Sequence, residues 1–364
     1  MNIAIVGIQG LPNNYGGFET LSEYLIEYIK DGFKFTVYCS SVDLPTSLPF
    51  YKEAKLKYIP VSSHGAKGII YDSLSLIDAV KNQFDAILIL GFGSGFIMPF
   101  FSKQTRKKII LNFGGLDWKR NKWSKFTQKV IRYSEKLLVR HSNLIIADNL
   151  KIQEYIKKTY NKDSKLIAYG GNQASFYPIS NELLKEYSFL NEKYAFIVTR
   201  IQPDNNIEMM LNAFMDINKY PLIVVGNWKD SNYGQKVKEK YSNVKSLVLL
   251  DAIYDKLILN TLRSNCYFYV HGHSAGGTNP SLCEAMHLGL PILAFASGYN
   301  EETTHHKACY FKNESELKSK ILSLTDEQLQ TMKRELKSIA DKYYRWEIVA
   351  SQYKEQFYKI INND

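Results

Sequence analysis

The sequence predicts an α/β protein made of two doubly wound domains, and three observations carry that prediction. The chain has 364 residues, more than one hydrophobic core ordinarily serves and suited to two. Each half holds five short apolar runs: NIAIV (2–6), FTVY (35–38), AILIL (86–90), KIILN (108–112) and NLIIA (143–147), then YAFIVT (194–199), PLIVVG (221–226), SLVLL (246–250), CYFYV (266–270) and PILAF (291–295). Runs without polar alternation suit parallel strands covered on both faces, and the segments between them are glycine-rich or helix-periodic. The pattern restarts after the turn-rich YGGNQASFYP (169–178), which divides the chain into residues 1–175 and 176–364. From Asp326 onward the sequence reads as two helices with no strand between them, counted with the second domain, the last of them free to pack back across the junction.

The first run leads into GIQGLPNNYGGFET (7–20) and then a helix whose apolar face is Phe18, Leu21, Leu25, Ile26 and Ile29, with Glu19, Glu23 and Glu27 read as a solvated face. Strand, glycine turn and helix present unpaired backbone N–H groups and the positive end of the helix dipole, and glycine lets an anion approach the main chain. Phosphate binding and a tight structural turn are both consistent with this loop. Its glycines do not fit G-x-G-x-x-G, nor does GFGSGF (91–96), and no acidic residue follows the second strand where a ribose would need it.

The uncharged AILILGFGSGFIMPFFS (86–102) falls short of a membrane span and contains three glycines and Pro99, so a buried strand followed by a glycine loop is expected. No basic leader precedes the first strand, and no signal peptide is expected. The composition is that of a globular chain, 45 % hydrophobic and 23 % charged. Cys39, Cys266, Cys283 and Cys309 show neither C-x-x-C nor zinc spacing and read as isolated thiols in a reducing compartment. The excess of 46 Lys+Arg over 36 Asp+Glu points to anionic partners: nucleic acid, phosphorylated small molecules or acidic lipid.

After KIILN comes NFGGLDWKR, in which Asp117 either orients an acceptor hydroxyl or caps the next helix. That helix carries Lys122, Lys125, Lys129, Arg132, Lys136 and Arg140 every three or four residues, beside an apolar stripe of Trp123, Phe126, Val130, Tyr133 and Leu137. The expected arrangement anchors the stripe in the core and turns the cations outward, toward anionic headgroups or toward solvent.

The most informative stretch is HGHSAGGTNPSLCEAMHLGLPI (271–292). Asn279 is a good N-cap, Pro280 suits the first helical position, and Gly289 with Pro291 closes the helix. The helix aims free amides at Ser281 and Leu282 into a loop holding His271, His273, Gly276 and Gly277, a second anion site. Glu284, one turn inside, is either an acceptor for a ribose diol or a capping or solvent-facing carboxylate. His271 and His273 are expected to face opposite ways, which excludes joint metal ligation, and no metal site is expected.

These residues carry a resemblance. NYGGFE near the start, TRIQPDNNIEMML (199–211) and GGTNPSLCEAMHLGLPI (276–292) resemble glycosyltransferase family 4, across almost the whole chain. The combination of NYGGFET, GLDWKRNKWSK, HGHSAGGTNPSLCEAM and YYRWEIVASQY is similar to the rhamnosyltransferase-like branch that serves bacterial capsule and O-antigen assembly. The resemblance implies the GT-B fold, two Rossmann-like domains facing a central cleft, and a retaining transfer from a nucleotide sugar to a polyprenyl-diphosphate-linked glycan without metal or other cofactor. It implies a peripheral enzyme on the cytoplasmic face of a bacterial membrane. On matching positions it assigns Gly16 and Gly17 to a phosphate loop, Arg200 to the donor diphosphate and Glu284 to the nucleotide ribose; the loop and helix start add Gly277, Thr278, Asn279, Ser281 and Leu282 as donor-binding candidates. Two positions depart from the family: its first motif glutamate falls at Gly276, and the lysine after the arginine falls at Asn205. Donor grip then leans on Arg200, the helix starts and His273, and Asp117, Arg200 and His273 are the candidate catalytic residues. A nucleic-acid binder would gather basic and aromatic residues on one surface, whereas the aromatics here are scattered through strand-like and helix-like runs. A nicotinamide enzyme would need the glycine fingerprint. A sugar-nucleotide epimerase or a phosphorylase stays open as an alternative on the same fold.

Overall fold

The computed structural model describes residues 1–12, 16–44, 47–119, 123–217 and 219–362. Contacts divide the chain into two compact units, the first made of Met1–Lys119, Trp123–Tyr169 and the stretch from Trp346, the second of Gly170–Arg345.

In the first unit the chain runs β1 (Asn2–Val6), α1 (Gly17–Tyr28), β2 (Lys34–Ser40), β3 (Phe50–Tyr51), β4 (Ala54–Ile59), α2 (Gly65–Lys81), β5 (Ala86–Leu90), α3 (Lys103–Lys107), β6 (Ile109–Asn112), α4 (Lys125–His141), β7 (Leu144–Ala147), α5 (Leu150–Tyr160) and β8 (Lys165–Leu166). The sheet order is β3-β4-β2-β1-β5-β6-β7-β8, parallel except where β3 meets β4. Ile3 pairs with Phe35 on one side and Ala86 on the other, and β1 and β5 are buried along almost their whole length. Chain order reverses direction between β1 and β5, so the loops after these two strands flank the crevice that such sheets use for ligands.

The second unit runs α6 (Asn181–Glu186), β9 (Ala195–Val198), α7 (Ile207–Met215), β10 (Leu222–Val225), α8 (Asn232–Tyr241), β11 (Leu247–Leu250), α9 (Lys256–Ser264), β12 (Phe268–His271), α10 (Pro280–His287), β13 (Ile292–Phe295), α11 (Tyr299–Thr303), β14 (Cys309–Phe311), α12 (Glu314–Ser323) and α13 (Asp326–Tyr343). Its parallel sheet has the order β11-β10-β9-β12-β13-β14, with the reversal between β9 and β12. All ten sequence-predicted strands are present.

The last helix, α14 (Trp346–Ile361), belongs to the first unit, not to the second with which the sequence reading counted it. Its buried face of Trp346, Val349, Ala350, Tyr353 and Phe357 joins the core that Leu21, Leu25 and Ile26 of α1 also fill. Trp346 stacks on Tyr24 at 4.6 Å between ring centroids. Burying the Trp346 and Phe357 side chains contributes about 2–3 kcal/mol each, which is enough to hold the helix there. The two units also part earlier than expected, between Tyr169 and Gly170.

The uncharged 86–102 stretch divides into β5, a glycine loop and a 3-10 turn over Gly95–Phe100. No described helix is long and apolar enough to cross a membrane. The four cysteines are free, three buried and Cys309 half-buried.

Candidate functional site

In the second unit the polar residues converge where the sheet order reverses, at the C-terminal ends of β9 and β12. The loop after β9 is sewn to the loop after β12 by a set of hydrogen bonds. Ser274 donates its backbone N–H (3.0 Å) and its hydroxyl (2.7 Å) to the Asp204 carbonyl, and Asn206 Nδ2 donates to the Gly272 carbonyl at 2.8 Å. Asn205 Nδ2 donates to the Arg200 carbonyl at 2.6 Å, and Asn205 Oδ1 lies 2.6 Å from His273 Nδ1. A carbonyl can only accept, so the Asn205 amide is oriented, and its Oδ1 must accept from an Nδ1–H of His273. The His273 carbonyl in turn accepts from Asn300 Nδ2 at 2.9 Å. Asn205, at the position of the missing family lysine, thus holds a histidine.

The missing glutamate has a matching explanation. Gly276 has φ +127°, and a Cβ there would stand 2.9 Å from His273 Nε2. A side chain at 276 would be strained by this φ and would push the imidazole from the place where Asn205 holds it. His271 and His273 do not diverge as expected: their ring centroids are 6.1 Å apart, because side chains two positions apart share a face in extended backbone. His271 is 5 % exposed, its Nε2 has no hydrogen-bond partner, and burial pushes its pKa down to about 3, so it is neutral.

Helix α10 starts as predicted, with Asn279 as cap and Pro280 at the first position, but its first amides are not free. The Ser281 N–H donates to Asn279 Oδ1 at 3.0 Å and the Leu282 N–H to the Asn279 carbonyl at 3.1 Å. The side-chain cap that makes Asn279 a good helix start takes the first of them, and the Asn279 backbone carbonyl takes the second. Leu282 is a core side chain, and Gly277 and Thr278 are buried beside it.

Glu284 is neither a cap nor a solvated carboxylate. Its Oε2 takes Nη1 of Arg263 in an ion pair, and its Oε1 accepts from Gln173 Nε2 at 2.6 Å. Arg263 is 3 % exposed, and its Nη2 donates to Asn260 Oδ1 at 2.7 Å. Sequence reading missed Arg263 and Gln173. They come from α9 and from the linker after Tyr169, and no local spacing announces a partner 21 or 111 residues away.

In the first unit Gly7 lies at φ +92° so close to β5 that a Cβ would collide with the Leu90 carbonyl oxygen. This is the close packing expected of a strand-to-loop glycine at the reversal point. Gly16 is exposed and Gly17 opens α1, but Glu19 is not solvated as expected: its carboxylate bends back over Gly16, and its Oε1 accepts from the Gln9 N–H at 3.0 Å. The acidic group is drawn there by the same unpaired amides and dipole that suit a phosphate. Glu23 is also withdrawn from solvent, accepting from the Tyr51 hydroxyl. Asp117 opens a 3-10 turn over Asp117–Lys119 and does not cap α4, whose cap is Ser124.

On α4, Lys125, Lys129, Arg132 and Lys136 are exposed as predicted, and Lys122 lies outside the described residues. Arg132 stacks over the Trp118 ring at 4.8 Å. The apolar stripe is not the anchor: Phe126 is 76 % and Tyr133 54 % exposed, and the buried face is Ser134, Glu135, Leu138 and Val139. The buried set falls about a third of a turn away from the predicted one, where α4 meets the turn over Gly95–Phe100 and Ser134 Oγ bonds the Gly95 N–H.

A cavity of about 370 Å³ lies at the opposite end of the second sheet, lined by Lys193, Tyr267, Leu290, Asp326 and Lys333 among others. It is away from the strand ends where such sheets carry their chemistry, and two of its charged residues are already engaged, Lys193 over the Tyr267 ring and Asp326 with the Tyr267 hydroxyl. No three His, Cys, Asp or Glu among the described residues stand together as metal ligands would.

Comparison with known proteins places a family model on each half of the chain. Residues 1–172 match a domain of unknown function, DUF1972, and residues 180–343 match glycosyl transferases group 1. A search of curated proteins gives no match. Among solved structures, the sucrose-phosphate synthase of Thermosynechococcus elongatus superposes with a TM-score of 0.84 at 16 % identity, over 100 % of both chains. Anabaena HepE in complex with UDP gives 0.77 at 15 % identity, over 99 % of this chain and all of the other. An E. coli trehalose-6-phosphate protein bound with UDP-2-fluoro glucose gives 0.74 at 10 % identity, over 98 % and 99 %. The fold is therefore that of the GT-B enzymes, with two Rossmann-like parallel sheets, and with a group 1 domain on that fold the chain is a glycosyltransferase.

Proposed function

We propose that this glycosyltransferase transfers a sugar, with retention of configuration, from a nucleotide sugar held by the second unit to a polyprenyl-diphosphate-linked glycan, as a step in capsule or O-antigen assembly. The observation that carries the reading is the polar cluster at the β9/β12 reversal point, Arg200 with the Asn205–His273 pair and Glu284 with Arg263, inside the segment that matches glycosyl transferases group 1. The HepE structures, whose ligands are UDP and UDP-glucose, support a nucleotide-sugar donor.

Cleaving a glycosyl–phosphate bond leaves negative charge on a nucleoside diphosphate, and preorganised donors at such a charge contribute about 3–4 kcal/mol each. Arg200 and His273 take that role, and the Gly276–Asn279 loop lets the phosphates approach the backbone. Each Glu284 oxygen keeps acceptor capacity beyond Arg263 and Gln173, which suits a ribose diol. In the first unit Gly16 and Gly17 are assigned to phosphate binding at the start of α1, and Asp117 to the acceptor hydroxyl. No resident metal or cofactor is assigned. The donor named first is dTDP-rhamnose, with UDP- and GDP-hexoses next.

Beside the cations of α4, Phe126 and Tyr133 are exposed, and so is Phe100 at 86 %. Cations with aromatic side chains among them suit the interface of an anionic bilayer, so the enzyme is read as peripheral on the inner face of the cytoplasmic membrane.

The test is a panel of radiolabelled nucleotide sugars presented with lipid-diphosphate mono- and disaccharides. Label moving into the lipid fraction with one donor supports the reading. Acceptor-independent interconversion of the nucleotide sugar, or phosphate-dependent release of a sugar phosphate, would replace it by an epimerase or a phosphorylase.

A further inference from the structure

Glu284 is held from behind. Arg263 on α9 reaches its Oε2 through Nη1 and donates through Nη2 to Asn260 Oδ1 at 2.7 Å, while Gln173 donates to its Oε1 at 2.6 Å. Arg263 and Asn260 are 3 % and 7 % exposed, whereas the Glu284 side chain is 19 % exposed. The cation is therefore sealed in the core, and the carboxylate forms the outer edge of the pair. The segment carrying Gln173 packs directly on α10, since a Cβ at Gly171 would stand 2.5 Å from the backbone of Cys283. A carboxylate only accepts, and each of its oxygens has a second lone pair beyond these partners. The group that completes it is a hydroxyl donor arriving at the exposed edge.

We propose that Arg263 and Asn260 are positioning residues that fix the Glu284 carboxylate to receive the 3′-hydroxyl of the donor nucleotide's sugar. The proposal rests on the reading that Glu284 meets that sugar, and it adds what holds the carboxylate there. The 3′-hydroxyl is the one that ribose and 2′-deoxyribose share, so the assignment serves UDP-, GDP- and dTDP-sugars alike. A glutamate without such partners samples several rotamers and loses that freedom when a ligand binds; here the guanidinium and the Gln173 amide remove it beforehand. Stability does not account for the arrangement, because apolar side chains of similar volume stabilise a core as well as a buried ion pair does. Apolar side chains, however, present no acceptor. Arg263 Nε is buried with no hydrogen-bond partner among the described residues, so the two Nη contacts set the plane of the guanidinium. Lysine does not replace it, because a single ammonium does not span Glu284 and Asn260 as the planar fork does.

The test compares UDP, GDP and dTDP, each with its 3′-deoxy analogue, by calorimetric titration of the full-length protein. For at least one nucleotide the wild-type protein is expected to lose about ten- to hundredfold in affinity with the 3′-hydroxyl, as for a hydrogen bond to a charged group. Arg263→Lys, Asn260→Ala and Glu284→Gln are each expected to shrink that ratio to about threefold or less, chiefly by weakening the complete nucleotide. A loss of fold would weaken both nucleotides alike and leave the ratio as it was, so the ratio separates positioning from stability. Asn260→Ala leaves the ion pair in place and carries the test where Arg263→Lys does not fold. A ratio that collapses in Glu284→Gln but keeps its wild-type value in the folded Arg263 and Asn260 variants overturns the proposal and leaves Glu284 at the nucleotide sugar. Binding with a wild-type ratio near one for all three nucleotides overturns that assignment of Glu284 and the proposal with it. No binding by any of the three overturns the donor reading as well.

Discussion

Arg263 and Glu284 form an ion pair in which the guanidinium is almost wholly buried and the carboxylate side chain is 19 % exposed. Taking two charges out of water costs several kcal/mol per ion, and the pair recovers this only while both members are present. Glu284→Ala is therefore more than a deletion of a ribose contact, since it strands Arg263 in the core. The expected loss is about 3–5 kcal/mol for Arg263→Met or Glu284→Ala alone, seen as a lowered thermal midpoint. The double variant Arg263→Met/Glu284→Leu recovers much of that stability and still fails to bind nucleotide. A stable double variant that binds and transfers normally would remove Glu284 from the donor site.

Gly7 and Gly32 both have positive φ, +92° and +80°, yet they differ in surroundings. A Cβ at Gly7 strikes the Leu90 carbonyl of the neighbouring strand, whereas at Gly32 the nearest atom is the Met1 Cε at 4.0 Å. Gly32→Ala pays only for the backbone conformation, about 1 kcal/mol. Gly7→Ala adds displacement of β1 against β5 and is expected to cost at least twice as much by urea denaturation. Equal costs would mean that the two strands yield easily at the reversal point.

The ten strands predicted from continuous apolar runs were legible because a strand covered on both faces has nothing but apolar residues to show. The missed β4, AKLKYI, lies next to the edge of its sheet and alternates lysine with apolar residues, and β3, β8 and β14 have only two or three residues. Asn279 was legible for a different reason: capping is a bond between near neighbours in sequence. The allegiance of α14 was not, since an amphipathic helix declares that it has an apolar face but not which core covers it. Misplacement of the α4 stripe has the same origin: the helix offers two adjacent faces, and packing against Gly95 and Phe92 selects the less apolar one, through Ser134. The site follows this division too: loop and helix start could be read, while the Arg263–Glu284 and Asn205–His273 pairs are made by tertiary contact alone.

The α4 surface separates electrostatic from apolar anchoring. Lys125→Gln, Lys129→Gln and Lys136→Gln together are expected to weaken binding to vesicles containing acidic lipid, each cation contributing about 1 kcal/mol near the surface, with little change on neutral vesicles. Phe100→Ser with Phe126→Ser removes side chains that are 86 % and 76 % exposed, so fold stability is expected to hold while binding falls at every lipid composition. Sedimentation with vesicles of both kinds measures it. Unchanged binding in the combined variant would leave this helix as a solvated face.

Glu135 makes a stability prediction with a definite sign. It is fully buried on α4, its Oε1 accepts from the Tyr155 hydroxyl at 2.9 Å and the Tyr160 hydroxyl at 2.5 Å, and its Oε2 has no hydrogen-bond partner. Burial raises its pKa from 4.5 to about 7, against the lowering effect of the two tyrosines and of Arg132, while Asp117 adds to the rise. Between those values the folded protein holds a proton that the unfolded chain has released, so stability falls as pH rises through the window and the full cost stands above it. That cost is on the order of 2–3 kcal/mol at pH 8. Glu135→Gln keeps an oxygen for the two tyrosines and removes the charge, so it is expected to raise the thermal midpoint at pH 8 and to bring no gain at pH 4.5, where the wild-type carboxyl is already neutral. A gain of equal size at both pH values would mean that packing, not ionisation, sets the energetics of this carboxyl.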